Sequence, residues 1–413
     1  MMIKLHPLFK NLYQKKDESL PIFMMKETLA GCKRHNVFGL TASLSFFSLF
    51  ALIPMILLIF FFLSHWLVNS EFALGKLALL TSNLLPQISK KIMLEVFRIS
   101  SHTKAWGILG TLILLWAATP LTSSLRASLL IISATEENPS FLKSKIRDIV
   151  SIIGILFLFF LFTLSGMVIQ KTAVFFSEYL SFFNSQMIYF ISSFSFVVLS
   201  LTLFNRFFFP IKVDIKHIIL GSLLTAFLWL MLRSTFDIFL SLSHSYGTFF
   251  GGMRNLFISL IWLYLNIASY LVGVELMATL HKKDMLLLKK LFDDSIPLSS
   301  SFIHYLASRY GKIYRQNEMI FEQGNREHNV YFIVQGSVNL IQDDRVIRSL
   351  KAHEYFGEMA VLNETPTIAS AMSTSNESEI IAIPKVHLEM MLADEPKVAM
   401  KFLRKMSLRL QQR

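Results

Sequence analysis

From Ile149 to Ile169 the chain reads IVSIIGILFLFFLFTLSGMVI, a run without one charged side chain. A helix needs about 20 mostly apolar residues to cross about 30 Å of hydrocarbon, so this segment predicts a membrane span. Similar stretches give six predicted spans, near residues 37–63, 105–133, 148–170, 186–209, 217–242 and 256–280. The second carries Pro120 and Arg126 and therefore needs protein neighbours that satisfy its polar groups. After residue 280 the long apolar runs stop and a mixed pattern follows Pro297.

The predicted fold class is an α-helical polytopic membrane domain followed by a cytoplasmic α+β domain with a β-roll and flanking helices. Four parts are expected: a basic segment at 1–36, the membrane domain at 37–280, a basic connector at 281–296 and the α+β domain at 297–413. A mean hydropathy of +0.52 with only 16% charged residues agrees with an integral membrane protein.

The formal net charge is +12, and its placement explains it. Residues 297–413 hold 14 Lys and Arg against 13 Asp and Glu, which leaves 26 against 15 for the membrane part. Basic residues flank the cytoplasmic ends of spans, so a nucleic-acid partner is not implied. Lys4, Lys10, Lys15, Lys16, Lys26, Lys33 and Arg34 precede the first span, and Lys282, Lys283, Lys289 and Lys290 follow the last. Both termini are expected in the cytoplasm. The segment 64–104 is the exception: expected outside, it holds five basic residues and reads either as two amphipathic helices broken at Pro86, on the outer surface or over the bundle, or as ordinary packing against other loops. The first 36 residues lack the short apolar core and small-residue cleavage site of a signal peptide. Cys32 is the single cysteine, so no intramolecular disulfide forms.

Ionisable groups inside spans are the candidate functional residues, because each costs about 2.5–3.5 kcal/mol at mid-membrane unless it faces a partner or water. These are Arg126, Arg233, Asp237 and Glu275. Arg233 and Asp237, four apart, share a helical face and can neutralise each other. Arg126 and Glu275 either sit at the cytoplasmic interface or face the bundle interior with Thr122, Ser123 and Asn266 as a polar path. In the second case Gly251 and Gly252, beside Tyr246, would loosen its outer mouth.

The stretches LTASLSFFSLFALIPMILLI, LGTLILLWAATPLTSSLRAS, FNRFFFP and YGTFFGGMRNLFISLIWLYLNIASYLVGVELMATL resemble, in order and spacing, the YihY or BrkB-like membrane protein family, which once carried a ribonuclease BN label. Tyr246, Gly247, Trp262, Gly273 and Glu275 carry the most specific part. The resemblance implies a six-span bacterial inner-membrane protein. The sequence holds no HEXXH and no paired CxxC, so neither a nuclease nor a metal site is expected.

In the tail, alternation in GKIYRQNEMIFEQGN, HNVYFIVQGSVNLIQ, DRVIRSLKAHEYF and SEIIAIPK predicts short strands, with turns at Gly324, Gly336 and Asp343-Asp344. A helical connector is expected to run to about Arg309, and two helices separated by Pro396 close the chain. EQGN, YFIVQG and FGEMAVL resemble the cyclic-nucleotide-binding domain of catabolite-activator-type regulators and kinase regulatory subunits. That resemblance implies a phosphate-binding cassette at Phe356, Gly357, Glu358, Met359, Ala360, Thr367, Ala369 and Ser370, with cyclic AMP or cyclic GMP as the implied ligand. Glu358 stands where the family's glutamate accepts the ribose hydroxyl, and Thr367 where its arginine binds phosphate. Asn317 and His353 replace two usual glycines.

Three whole-chain readings follow. The first is a permeation protein in the bilayer, regulated by its cytoplasmic sensor. The second is a membrane anchor whose tail recruits a protein partner or a second copy. The third, a nucleotide-gated channel, is disfavoured because the sequence has no TVGYG-like filter and no arginine-repeat span.

Overall fold

The structure is a computed structural model and describes residues 20–66, 107–135, 142–156, 185–242, 254–291, 300–326, 328–394, 399–400 and 403–404. The chain divides into two compact units, one of Glu27–His281 and one of Met1–Lys26 with Lys282–Arg413.

Helix α1 (Leu20–Arg34) belongs to the other unit up to Lys26 and to the membrane unit from Glu27; in the membrane unit it is followed by α2 (Val37–Trp66), α3 (Gly107–Ser133), α4 (Ser185–Phe208), α5 (Ile215–Leu242) and α6 (Arg254–His281). Among the described residues five helices are long and apolar enough to cross a membrane: Val37–Leu58, Gly110–Ser133, Phe190–Phe208, Ile215–Thr235 and Leu256–His281. These coincide with five of the six predicted spans. The remaining one, 148–170, is described only to residue 156 and is helical from 142. The amphipathic segment beyond Trp66, and the mouth at Tyr246, Gly251 and Gly252, lie outside the described residues.

Several span hydroxyls bond to the backbone of their own helix, as apolar surroundings favour. Thr41 Oγ1 donates to Val37 O at 2.8 Å, Ser45 Oγ to Thr41 O at 2.7 Å and Thr202 Oγ1 to Val198 O at 2.7 Å. Phe46, Phe50, Ile53, Trp116 and Phe227 are exposed, the surface a lipid-facing helix presents. The core joins Leu44, Leu129, Ile132, Leu201, Ile218, Leu271, Val274 and Met277. At its centre α5 and α6 touch backbone to backbone: a Cβ on Gly221 would lie 2.6 Å from Gly273 O, and one on Gly273 2.0 Å from Thr225 Oγ1. A buried hydrogen-bond chain stitches α4 to both, with Tyr270 Oη donating to Asn205 Oδ1 at 3.0 Å and Asn205 Nδ2 to Ser222 Oγ at 3.5 Å.

The other unit begins with α7 (Lys283–Leu291) and α8 (Ser300–Tyr310). The helical connector expected to about Arg309 is described as these two helices, and residues 292–299 between them lie outside the described residues. Helix α7 buries Met285–Leu288 and Leu291. Phe23 packs on Phe302 at 5.3 Å between centroids, and Lys290 Nζ lies 4.0 Å and 4.6 Å from those two rings.

Eight strands follow: β1 (Gly311–Arg315), β2 (Met319–Phe321), β3 (Asn329–Gln335), β4 (Ser337–Gln342), β5 (Arg345–Lys351), β6 (Tyr355–Phe356), β7 (Ser370–Ser373) and β8 (Glu377–Pro384). They form two four-stranded sheets, ordered β1-β8-β3-β6 and β2-β7-β4-β5, with every pairing antiparallel. This is the expected β-roll. Alternate inward residues Tyr314, Phe321, Tyr331, Ile333, Val338, Leu350, Phe356 and Ile380 fill the space between the sheets. Asp343 and Asp344, at φ 48° and 63°, make the tight turn between β4 and β5. Helix α9 (Glu358–Asn363) lies between β6 and β7, and α10 (Lys385–Asp394) follows β8. Of the two closing helices only α10 is described as an element; 395–398 lie outside the described residues.

Candidate functional site

The cassette is built where β6 ends. Phe356, 2% exposed, stacks on Tyr331 at 5.3 Å and fixes the strand against β3. Gly357 then turns the chain at φ 82°, a left-handed conformation that L residues adopt only with strain. A Cβ there would also press on Asn329 O at 3.2 Å and the Tyr331 ring at 3.3 Å. The turn starts α9, whose first residue, Glu358, is buried at 6% exposure together with Ala360, while Met359 is half-buried. Glu364, at φ 53°, ends the helix, and its N–H donates to Ala360 O.

Thr367 does not point its hydroxyl at a ligand. Its Oγ1 donates to Glu322 O at 2.7 Å and its N–H to Asn325 O at 2.9 Å, while its carbonyl accepts the Gly324 N–H at 2.8 Å. Ser370 Oγ accepts the Gln323 N–H at 2.8 Å, and Ala369 is buried between these two anchors. Residues 367–370 are thus laced to the 322–325 turn. The threonine hydroxyl is engaged by the backbone of that turn. Asn317 and His353 sit at φ 63° and 69°, so the glycine conformations persist without glycine.

The cassette end also meets α10: Lys385 Nζ lies 2.5 Å from Glu364 Oε1 and 3.5 Å from Glu389 Oε1. The hydrogen bond between them holds the Glu364 carboxyl below its usual range and raises the Lys385 ammonium.

In the membrane unit Glu275 and Arg126 are each buried against a partner within the protein. Glu275 is 2% exposed, with His35 Nδ1 2.9 Å from its Oε2. The carboxylate presses against α1 so closely that a Cβ on Gly31 would lie 2.1 Å from Oε1. Beside it, burial first and the Glu275 charge second push the Cys32 thiol up to about 11. Arg126 reaches Asp148 Oδ1 at 3.2 Å and Ser144 Oγ at 2.5 Å, from a side chain 18% exposed onto one 2% exposed. Both candidates are therefore held in separate pairs within the protein. Removing one member of such a pair leaves a buried charge, typically at a cost of about 3–5 kcal/mol.

The other polar candidates are tied locally. Thr122 Oγ1 donates to Thr119 O at 3.1 Å, and Asn266 Nδ2 to Trp262 O at 2.7 Å while its carbonyl accepts Trp229 Nε1 at 2.9 Å. Arg233 is exposed on α5, and the Asp237 side chain lies outside the described residues. Sequence reasoning missed His35 and Asp148. Each lay just outside a span as drawn or at its first residue, where nothing in spacing marks a distant partner. Among the described residues no group of three His, Cys, Asp or Glu is arranged to hold a metal ion.

The apolar helices and the β-roll with its cassette together define a polytopic membrane protein carrying a cyclic-nucleotide-binding domain, whose family profile matches residues 312–395. The profile described as virulence factor BrkB matches residues 28–291, well over half of the chain, and the chain belongs to that family. A UPF0761 membrane protein of Pseudoalteromonas atlantica is 25% identical over 59% of this chain and 81% of its own length. The cGMP-dependent protein kinase of Plasmodium berghei is 31% identical over 17% of this chain, which spans only 8% of that kinase. The catabolite activator protein of Thermus thermophilus is similar in structure over 30% of this chain and 58% of its own, at 26% identity and a TM-score of 0.26.

Proposed function

We propose that the chain is a permeation protein of the bacterial inner membrane whose state is set by a small ligand at the cytoplasmic cassette, with both termini in the cytoplasm. The observation that carries the reading is the retained cassette backbone: Gly357 at φ 82° opening α9 with Glu358 buried at its start, on a chain whose other unit is a membrane domain. A helix start of this kind presents backbone N–H groups to an anion. The basic flanks of the first and last spans support the orientation, and a cytosolic nucleotide then reaches the cassette. The cassette residues for this role are Phe356 to Ala360 with Ala369 and Ser370. Neither matching family is described as an enzyme family.

Thr367 sets how strongly a cyclic phosphate binds. Losing one partner of a buried charged contact typically costs about 2–5 kcal/mol, so the native cassette binds cyclic AMP or cyclic GMP about 30-fold to several thousandfold more weakly than one with arginine there. Calorimetric titration of the full-length protein with both nucleotides, beside a Thr367→Arg variant, tests this. Micromolar binding by the native chain supports nucleotide sensing. Binding by neither protein removes the cyclic-nucleotide reading.

A second reading rests on the Thr367 hydroxyl being spent on Glu322 O: the domain is ligand-free and holds a protein partner or another copy at the membrane. Binding by the Thr367→Arg variant alone favours it, or a different ligand.

A further inference from the structure

The second residue of the connector helix, Asp284, has both carboxylate oxygens occupied. Asp284 Oδ1 accepts the Tyr305 hydroxyl at 3.0 Å, and Oδ2 accepts the Tyr310 hydroxyl at 2.8 Å and lies 3.0 Å from Arg309 Nε. All three donors come from α8, and Lys283 Nζ lies 4.1 Å from the centroid of the Tyr305 ring. The ring of Tyr310 meets His387 of α10 edge-on, at 5.8 Å and 87°. His387 Nδ1 is buried with no hydrogen-bond partner among the described residues. Two residues before it on the same helix, Lys385 pairs with Glu364, which closes the cassette helix. Named side chains thus run from α9 through α10 and α8 to α7, and α7 begins two positions after the last residue of α6.

Apolar helix contacts tolerate sliding, whereas a carboxylate shared by three donors has one arrangement, and two of those donors, Arg309 and Tyr310, are adjacent in sequence. Any displacement of α10 moves His387 against the Tyr310 ring. The hydroxyl of that ring is one of the bonds that hold α7. The local electrostatics agree: the Tyr310 hydroxyl is pushed up to about 12 by burial and by its bond to Asp284, and the Arg309 guanidinium is raised by Tyr310 and Asp284.

We propose that Asp284, with Tyr310 and His387, is the joint through which the cassette's state reaches the connector helix and hence the chain entering the membrane unit. The proposal rests on the sensor reading above and names its regulation. The groups facing His387 are Tyr310, Arg309 and Asp284, and those facing Asp284 add Tyr305 and Lys283.

Hydrogen exchange of the full-length protein in detergent tests it without any ligand. Gly357→Ala distorts the cassette, because φ 82° strains any L residue. Exchange in α9 and α10 is expected to rise, and exchange in α7 to rise with it by about tenfold, the loss of roughly one charged hydrogen bond. In an Asp284→Asn background α7 starts faster and Gly357→Ala adds nothing; Tyr310→Phe, which keeps the ring and loses the hydroxyl, gives the same block more mildly. Exchange in β4 and β5 controls for global unfolding, and if Gly357→Ala raises it, Thr367→Val supplies the milder perturbation. A loosened cassette with α7 unchanged overturns the proposal, and so does an additive double variant. Failure of nucleotide binding leaves this readout intact, so the joint and the sensor reading fail separately.

Discussion

At the residue scale, His387 shows how a buried group that nothing neutralises shapes the response to pH. Burial holds the imidazole below its ordinary 6.5; Asp284 partly offsets this, and Arg309 adds a smaller push in the same direction as burial. Between the lowered value and 6.5 the folded sensor binds fewer protons than the unfolded chain. Its contribution is therefore complete above about pH 6.5 and is lost as pH falls below it. Exchange protection of β3 and β8, corrected for intrinsic chemistry, is expected to fall between pH 6.5 and 5.5 in the native protein and to fall less in His387→Asn. Protection that stays flat in the native protein would place the imidazole in solvent. None of this was legible in the sequence, where His387 stands in a helical stretch of ordinary composition. The turn at Gly357 and the helix after it were legible through the resemblance that FGEMAVL carries. What Thr367 does was not, because its partners at 322–325 lie some 45 positions away.

At the element scale, the seam between α5 and α6 is set by two glycines rather than by hydrophobicity. A methyl group at Gly273 meets Gly221 O at 2.6 Å, which is backbone and cannot turn aside. At Gly154 the first obstacle is the tip of the Phe208 ring at 2.9 Å, which can. Gly273→Ala is expected to cost about 1–3 kcal/mol by overpacking and to lower the melting temperature of the purified protein clearly more than Gly154→Ala. Equal effects would mean the seam opens freely. Span positions came straight from apolar run length, since a helix in lipid must be long and apolar whatever it packs on. Which face each span buries was not legible, because spans apolar all round carry no amphipathic stripe. The tail was easier: two-residue alternation gave the strands other than β7, whose four residues are too short to show it, and Asp343-Asp344 gave the turn.

At the scale of the whole molecule, the membrane unit and the sensor unit are joined by chain, and the orientation of one decides what the other can sample. Basic residues before α2 and after α6 support a cytoplasmic location for both ends. A reporter active only in the cytoplasm, fused after Arg413, is expected to work, and one active only outside to stay silent. The opposite result would deny the cassette any cytosolic ligand and remove the proposed regulation. The pairs Arg126–Asp148 and His35–Glu275 belong to the same scale of reading. From sequence, Arg126 and Glu275 stood either at the cytoplasmic interface or in the interior as part of a polar path; each is paired within the protein.

The buried place of Cys32 has a practical side. Its side chain is 4% exposed and its thiol ionises only near 11, so at neutral pH it offers almost no thiolate to an alkylating reagent. It is also the one cysteine in the chain. A spectroscopic probe attached through a cysteine introduced on α7 or α10 would therefore report from a single address, with the native thiol left where it is.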